Sequence, residues 1–341
     1  MILALPFFFG LILIEYLYSR RLGLEVYRRG ETLSNLLNGA GQGVINLVWF
    51  GFIVVFHDWL FTHYAQISWD PNRWTSWLIL AVLMDFCWYW AHRCSHRVNL
   101  FAASHVTHHH AAEFNHASAL RQSWTSRLFI YVFFAPLAFL GFDAKWVVSA
   151  QLISGAFQFL THNGIHRKKI PGIDLLFVIP RTHYVHHGIH FPYLDKNFGG
   201  TLIIWDRIFG TYQDLDEKIP ITIGTHERFN WLNPFSSNLI YFRQLGKAMA
   251  AVPGIFSKLA LLFGTPEELA AILEKLPKEK TRIGKPRDLT SAQRWQLRFA
   301  GAGVLALSIA TQVTPDWGIL RVALGLSVFA SIFFVARLGF A

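Results

Sequence analysis

Long apolar runs alternate with polar, aromatic-rich stretches along the chain. The first run is "ILALPFFFGLILIEYLY" at 2–18, followed at once by "SRRLGLEVYRR". A secretory leader carries its positive charge ahead of the apolar core. Here the charge follows, so the run reads as a retained helix whose C-terminal end lies in the cytoplasm. Further runs stand at 43–60, 76–92, 127–142 and 145–162, and the very short gap between the last two predicts a helical hairpin. After a long polar stretch, 299–313 and 318–336 read as a second hairpin. A full crossing takes about 20 apolar residues, so several runs are short for a span. Residues 248–263 suit either the bilayer interface or the domain surface. "TPEELAAILEKL" predicts a surface helix, with Thr265 as N-cap, Pro266 in the first turn and Glu268 closing a capping box.

Composition strengthens this picture. The 341 residues are 53% hydrophobic and 15% charged, against about 25% charged for a typical soluble domain. The expected class is an all-α integral membrane protein with about four to seven membrane helices. It sits multi-pass in a bacterial inner membrane or the endoplasmic reticulum. Residues 1–75 hold N-terminal membrane helices, and 76–215 form a catalytic domain containing the hairpin at 127–162. Residues 216–295 are cytosolic or interfacial, and 296–341 form a C-terminal membrane hairpin. The net charge of +10 fits Lys and Arg gathered on the cytoplasmic side against anionic lipid. No basic run is interleaved with aromatics, so no nucleic-acid partner is expected. Cys87 and Cys94, seven residues apart on one helix, stand about 10 Å apart along its axis, too far for a disulfide.

Threading the chain from a cytoplasmic Arg20–Arg21 brings the ends of the third and fifth runs back to the cytoplasm. Most of the 16 histidines collect at those ends. His92/His96 and His162/His166 are i, i+4 pairs. His105/His108/His109 and His183/His186/His187 both read H-x-x-H-H, again one helix face. Ten imidazoles aimed from several helices suit two metals rather than one, and imidazole suits iron, zinc, copper and nickel. Few carboxylates lie among them, so the ligand set is mainly neutral, which fits a centre that changes oxidation state. Asp85, Tyr89, His92 and His96 form one helical stripe. Asp85, costly inside an apolar run, is placed to accept a ring N–H and fix a tautomer. Glu113, four after His109, is a candidate for the surround of the metals or for orienting substrate. His57, His63 and His226 read as solvated; His110, His116 and His190 flank the clusters as either supports or bystanders.

"HRCSH", "HVTHH", "THYVHHG" and "DKNFGGTLIIWDRIFGTY" resemble the fatty acid hydroxylase/sterol desaturase superfamily of membrane di-iron enzymes over residues 80–215. Within it, "EFNHASALRQS" at 113–123 is most similar to the alkylglycerol monooxygenase-like group. The resemblance implies a cytosolic helical cap carrying the histidine boxes over the membrane helices, with the active site facing the cytoplasm. It implies two Fe ions, O2 and an electron donor or reductase, tetrahydropterin among the donors. The reaction that the resemblance implies is hydroxylation or desaturation of a lipid within the membrane. The implied ligands are His92, His96, His105, His108, His109, His162, His183, His186 and His187, together with His166. Asn115 is implied to reach the site through water, and Asp195, Asn197, Trp205 and Asp206 to brace the cap. Gly199, Gly200 and Gly210 read as turn and close-approach positions. The chain departs from the family at His110, where Ser is common, and at His166, which close relatives often lack.

Hydroxylation is the favoured outcome, with a sterol C-5 desaturase or C-4 methyl oxidase as the alternative. A divalent metal transporter would place its ligands inside the spans near the midplane. A zinc hydrolase would carry H-E-x-x-H, which the sequence lacks.

Overall fold

The computed structural model describes residues 5–224, 230–277, 291–313 and 319–339. His226 lies outside them. Three long helices open the chain: α1 (Leu5–Arg21), α2 (Arg29–Tyr64) and α3 (Trp74–Arg97). Three single turns follow, α4 (Asn99–Ala102), α5 (Val106–His109) and α6 (His116–Ala119). Next come α7 (Ser126–Phe134), α8 (Pro136–Phe139) and α9 (Ala144–Thr161), then the short α10 (Pro180–His186) and α11 (Ile204–Ile208). The remainder is α12 (Pro234–Ala251), α13 (Gly254–Phe263), α14 (Pro266–Lys275), α15 (Ser291–Val313) and α16 (Ile319–Gly339). Among the described residues there is no β-sheet, only two isolated bridges.

Helix α2 is 36 residues long, starting well before the apolar run at 43–60. At 1.5 Å per residue it spans about 54 Å, far more than a hydrocarbon core of about 30 Å. Its first half, "ETLSNLLNGAGQG", is polar because it packs inside protein. Asn38 Oδ1 accepts from Asn238 Nδ2 at 2.8 Å, and the Asn38 carbonyl accepts from the Trp124 indole at 3.1 Å. Among the described residues α2 alone is long and apolar enough to cross a membrane by itself; 126–139 and 254–263 are shorter apolar helices. The fourth run breaks at Pro136, which starts the short α8.

Three apolar cores tie the helices together. Leu37 and Val44 of α2 pack on Val304, Val328 and Ile332 of α15 and α16. Leu80 and Met84 of α3 meet Phe134, Leu137, Phe142 and Val147 around the α7–α9 hairpin. Tyr241, Leu245, Leu261 and Leu269 of α12–α14 close over Ala102 and Ala103 beside the histidine-bearing turns. The N-terminus of α14 has the expected Thr265–Glu268 capping box. His63 is exposed. His57, read as solvated, is instead 1% exposed. Its ring bridges the Tyr131 hydroxyl and the Phe142 carbonyl, both at 2.9 Å, locking α2 to the hairpin.

Candidate metal centre

Nine of the ten predicted ligands converge, and they divide into two groups. His92, His96, His105, His109 and His186 form one; His108, His162, His183 and His187 form the other. Within each group the candidate ligand atoms all lie within 4.8 Å of one another. The two H-x-x-H-H triplets supply both groups in complementary fashion. In the first, His105 and His109 enter one group and His108 the other. In the second, His183 and His187 enter the group that His186 does not. The single face expected of each triplet is thus split: at 3.6 residues per turn, residues four apart lie about 40° apart and the third member about 60–100° from them, so one turn of helix can serve both groups.

The donor geometry fits metal ions. Metal–nitrogen bonds of about 2.0–2.1 Å put neighbouring ligand nitrogens roughly 2.9–3.4 Å apart. The Nε2–Nε2 separations are 3.1 Å for His92–His105 and His105–His109, and 3.2 Å for His109–His186. In the second group they are 3.2 Å for His108–His162 and 3.0 Å for His162–His183. Backbone carbonyls fix the tautomers. The Nδ1–H groups of His92 and His186 donate to Phe198 O at 2.8 Å and Lys196 O at 2.9 Å. Those of His108 and His162 donate to Arg121 O at 2.9 Å and Gln158 O at 2.8 Å. His108 and His162 therefore aim two unprotonated Nε2 lone pairs at each other, an arrangement that calls for a cation between them. Nε2 of His96 and of His187 is buried with no hydrogen-bond partner. Burial, reinforced by neighbouring imidazoles, holds His105, His109, His183, His186 and His187 well below the ordinary imidazole range. Burial brings His108 down to about 4. Near neutral pH the donors carry no competing proton.

His166 stands outside both groups, exposed. The expected helix through 162–166 stops at Thr161. Asn163 Oδ1 accepts from the backbone N–H groups of Ile165 at 2.9 Å and His166 at 2.7 Å. That turn carries the His166 ring away from the His162 face. Gly164 follows because a Cβ there would lie 2.2 Å from Phe114 O.

The four non-histidine candidates lie around the groups, not among their donors. Asp85 accepts no ring N–H, contrary to the expected pairing. Its carboxylate takes the N–H groups of Thr201 at 2.8 Å and Leu202 at 3.0 Å and the Trp205 indole at 3.0 Å. Tyr89, fully buried, bonds Thr211 Oγ1 at 3.0 Å. Glu113 lies 3.7 Å from the Arg28 guanidinium; burial, then the charge of Glu31, pushes its carboxyl up to about 7. Asn115 caps α6 by accepting from Ser118 N at 3.0 Å, and its amide binds Val26 O. Of the flanking histidines, His110 bonds Ser237 at 2.9 Å and His190 packs on Tyr193.

The D-K-N-F-G-G…W-D-R-I-F-G-T stretch acts through its backbone. Asp206 accepts from the N–H groups of Phe198 at 2.7 Å and Gly199 at 2.8 Å. Asn197, at φ 57°, joins Thr182 O to Gln213 O. Together they present the carbonyls of residues 196 and 198 to the rings. A Cβ on Gly200 would lie 2.4 Å from the Trp88 ring.

Two supports escaped sequence reasoning. The Arg121 guanidinium, fully buried, binds Thr107 O, Ser34, Asn35, Ser237 and Trp231 O, fixing the carbonyl that orients His108. Glu15, 3% exposed, accepts from the His116 ring and backbone, both at 2.8 Å, from Gly164 N at 2.6 Å and from Tyr27. The rule that singled out Asp85, an acid inside an apolar run, applies equally to Glu15.

A cavity of about 440 Å³ runs among α2, α3, α7 and α9 and reaches His92, His105, His108, His162 and His183. Its other walls are largely apolar, with Phe8, Phe50, Ile53, Met84, Ile130 and Phe134 among them.

Residues 77–211 match the fatty acid hydroxylase family. The chain is 31% identical over 297 residues to the alkylglycerol monooxygenase of Xenopus tropicalis, covering 85% of this chain and 65% of that protein. It is 29% identical over 346 residues to the alkylglycerol monooxygenase of Homo sapiens, covering 99% of this chain and 76% of that one. The ornithine lipid hydroxylase OlsE of Rhizobium tropici is 28% identical over 144 residues, 42% of this chain and 43% of that protein. No solved structure matches.

Proposed function

We propose, on the premise that residues 77–211 match the fatty acid hydroxylase family, that the chain is a membrane-embedded di-iron oxygenase hydroxylating an unactivated C–H bond of a lipid. The observation that carries this reading is the pair of imidazole groups at the wall of a mainly apolar cavity. The nine converging histidines are the proposed ligands. Two irons held there would supply the activation of O2 and the removal of hydrogen from the chain. The protein's own part is to hold neutral donors on fixed carbonyls, keep the cavity dry and seat the lipid chain beside the groups. The balance is R–H + O2 + 2 e⁻ + 2 H⁺ → R–OH + H2O, so electrons come from outside, from a reductase or a reduced pterin.

Multi-pass insertion with the histidines on the cytoplasmic side belongs to the same proposal. Its support is the large apolar side chains left exposed on three helices: Leu13 at 55%, Val55 at 72% and Ile153 at 70%. On α13, Phe256 is 83% exposed, as suits a helix lying in the interface. An alkylglycerol is the first substrate to try, since two of the relatives above carry that name.

The test is turnover by the iron-loaded full chain in detergent, with isotopically labelled O2, a reduced pterin and a panel of ether lipids, fatty acids and sterols. One labelled oxygen in a lipid product is expected. A product that has lost two hydrogens without gaining oxygen replaces hydroxylation by desaturation. No product from any lipid contradicts the reading.

A further inference from the structure

The cavity holds a charge that the histidine groups do not use. Arg127, the second residue of α7, lines it, and no carboxylate does. Among the described residues the Arg127 guanidinium has no hydrogen bond, ion pair or aromatic partner, and its surroundings only desolvate it. The two most buried guanidiniums are treated differently. Arg121 is satisfied by five protein oxygens. Arg181 is bound to Asp214 at 2.7 Å and Glu217 at 2.5 Å. An unpaired cation against an apolar cavity is costly unless an anion joins it there. The start of α7 adds the positive end of a nine-residue helix at the same place. Gln42 and Asn46, one turn apart on α2, face the same space. Asn46 Oδ1 is buried without a partner, an acceptor suited to a hydroxyl.

We propose that Arg127 anchors an acidic group on the head of the lipid substrate, a phosphate or carboxylate, with Asn46 taking a hydroxyl beside it. This rests on the reading that the cavity receives a lipid. It makes acidic single-chain amphiphiles better ligands than neutral ones of equal length.

The test measures binding to the full chain in nanodiscs of neutral phosphatidylcholine. The probes are a hexadecyl glycerol ether and its phosphate ester, titrated into wild type, Arg127→Gln and Arg127→Lys. Wild type is expected to favour the phosphate ester about ten- to a hundredfold, the worth of a hydrogen bond to a charged group. Arg127→Gln brings the ratio of the two affinities close to one, and Arg127→Lys keeps part of it. An unchanged ratio in Arg127→Gln overturns the proposal, as does an equal loss of both affinities. Repeating the titration with inorganic phosphate, or with phosphatidylglycerol in the discs, separates the sources of the anion. If either removes the difference between wild type and Arg127→Gln, Arg127 reads free phosphate or the bilayer, and the assignment to substrate falls. Turnover is scored separately. Preference without turnover of any lipid sinks the oxygenase reading but leaves the anchor standing, while turnover without preference sinks the anchor alone.

Discussion

The two histidine groups share chain segments but differ in what holds them. The five-member group has three half-buried rings and takes its orientation from the 195–211 loop, through the carbonyls of Lys196 and Phe198. That loop is itself shaped by buried carboxylates: Asp206 on residues 198 and 199, Asp85 on 201 and 202. The four-member group is buried throughout and is oriented by the end of α9 and by the carbonyl of a fully buried arginine. One group thus has a fifth ring and a frame built on carboxylates. The other has four rings and a frame built on helix and guanidinium.

The comparison predicts unequal responses. Replacing a member of the four-ring group, as in His183→Ala, should empty that site and cut lipid turnover by at least about a hundredfold, since even residues that only orient ligands are worth about 10–100-fold. His105→Ala in the five-ring group leaves four donors, so metal should be retained more firmly than in His183→Ala under the same chelator. Equal losses would dissolve the distinction. Next in size, Asp206→Asn should weaken metal retention about tenfold, with the faster-released ion coming from the five-ring group. A uniform loss from both sites would mean that Asp206 serves the whole fold instead.

Glu113 gives a smaller effect with a defined sign. Its carboxyl titrates at about 7 in the folded chain against an ordinary 4.5. The folded state therefore holds the proton more tightly. The stability this brings is fully present below about pH 4.5 and is lost as pH rises through about 7. Glu113→Gln should flatten the melting temperature between those limits. A slope unchanged from wild type would place the titration elsewhere. The smallest effect belongs to His166→Ala, which should keep the wild-type metal content; losing one equivalent would return that ring to the ligand set.

The sequence made the convergence legible because helical spacing is short-range information. H-x-x-H-H states which rings share a face, and the structure brings nine of the predicted rings together. It could not state which ring joins which group, since that depends on how α3, α5, α9 and α10 meet. The i, i+4 spacing from His162 to His166 runs through a helix end that the Asn163–Gly164 pair marks as a turn, and His166 lies outside both groups. Asp85 was correctly seen as a costly buried acid, but its partners lie more than a hundred residues away. The ring acceptors are mostly backbone carbonyls, which leave no mark in side-chain identity. The early start of α2 was hidden because its polar face meets protein rather than lipid.

The central claim is two metals in one cage, and metal content tests it most directly. The full chain would be purified with iron available during growth, beside His183→Ala. About two irons per chain are expected in the wild type and about one in the variant, the survivor held by the five-ring group. One metal or none in the wild type, or two retained without His183, would contradict it.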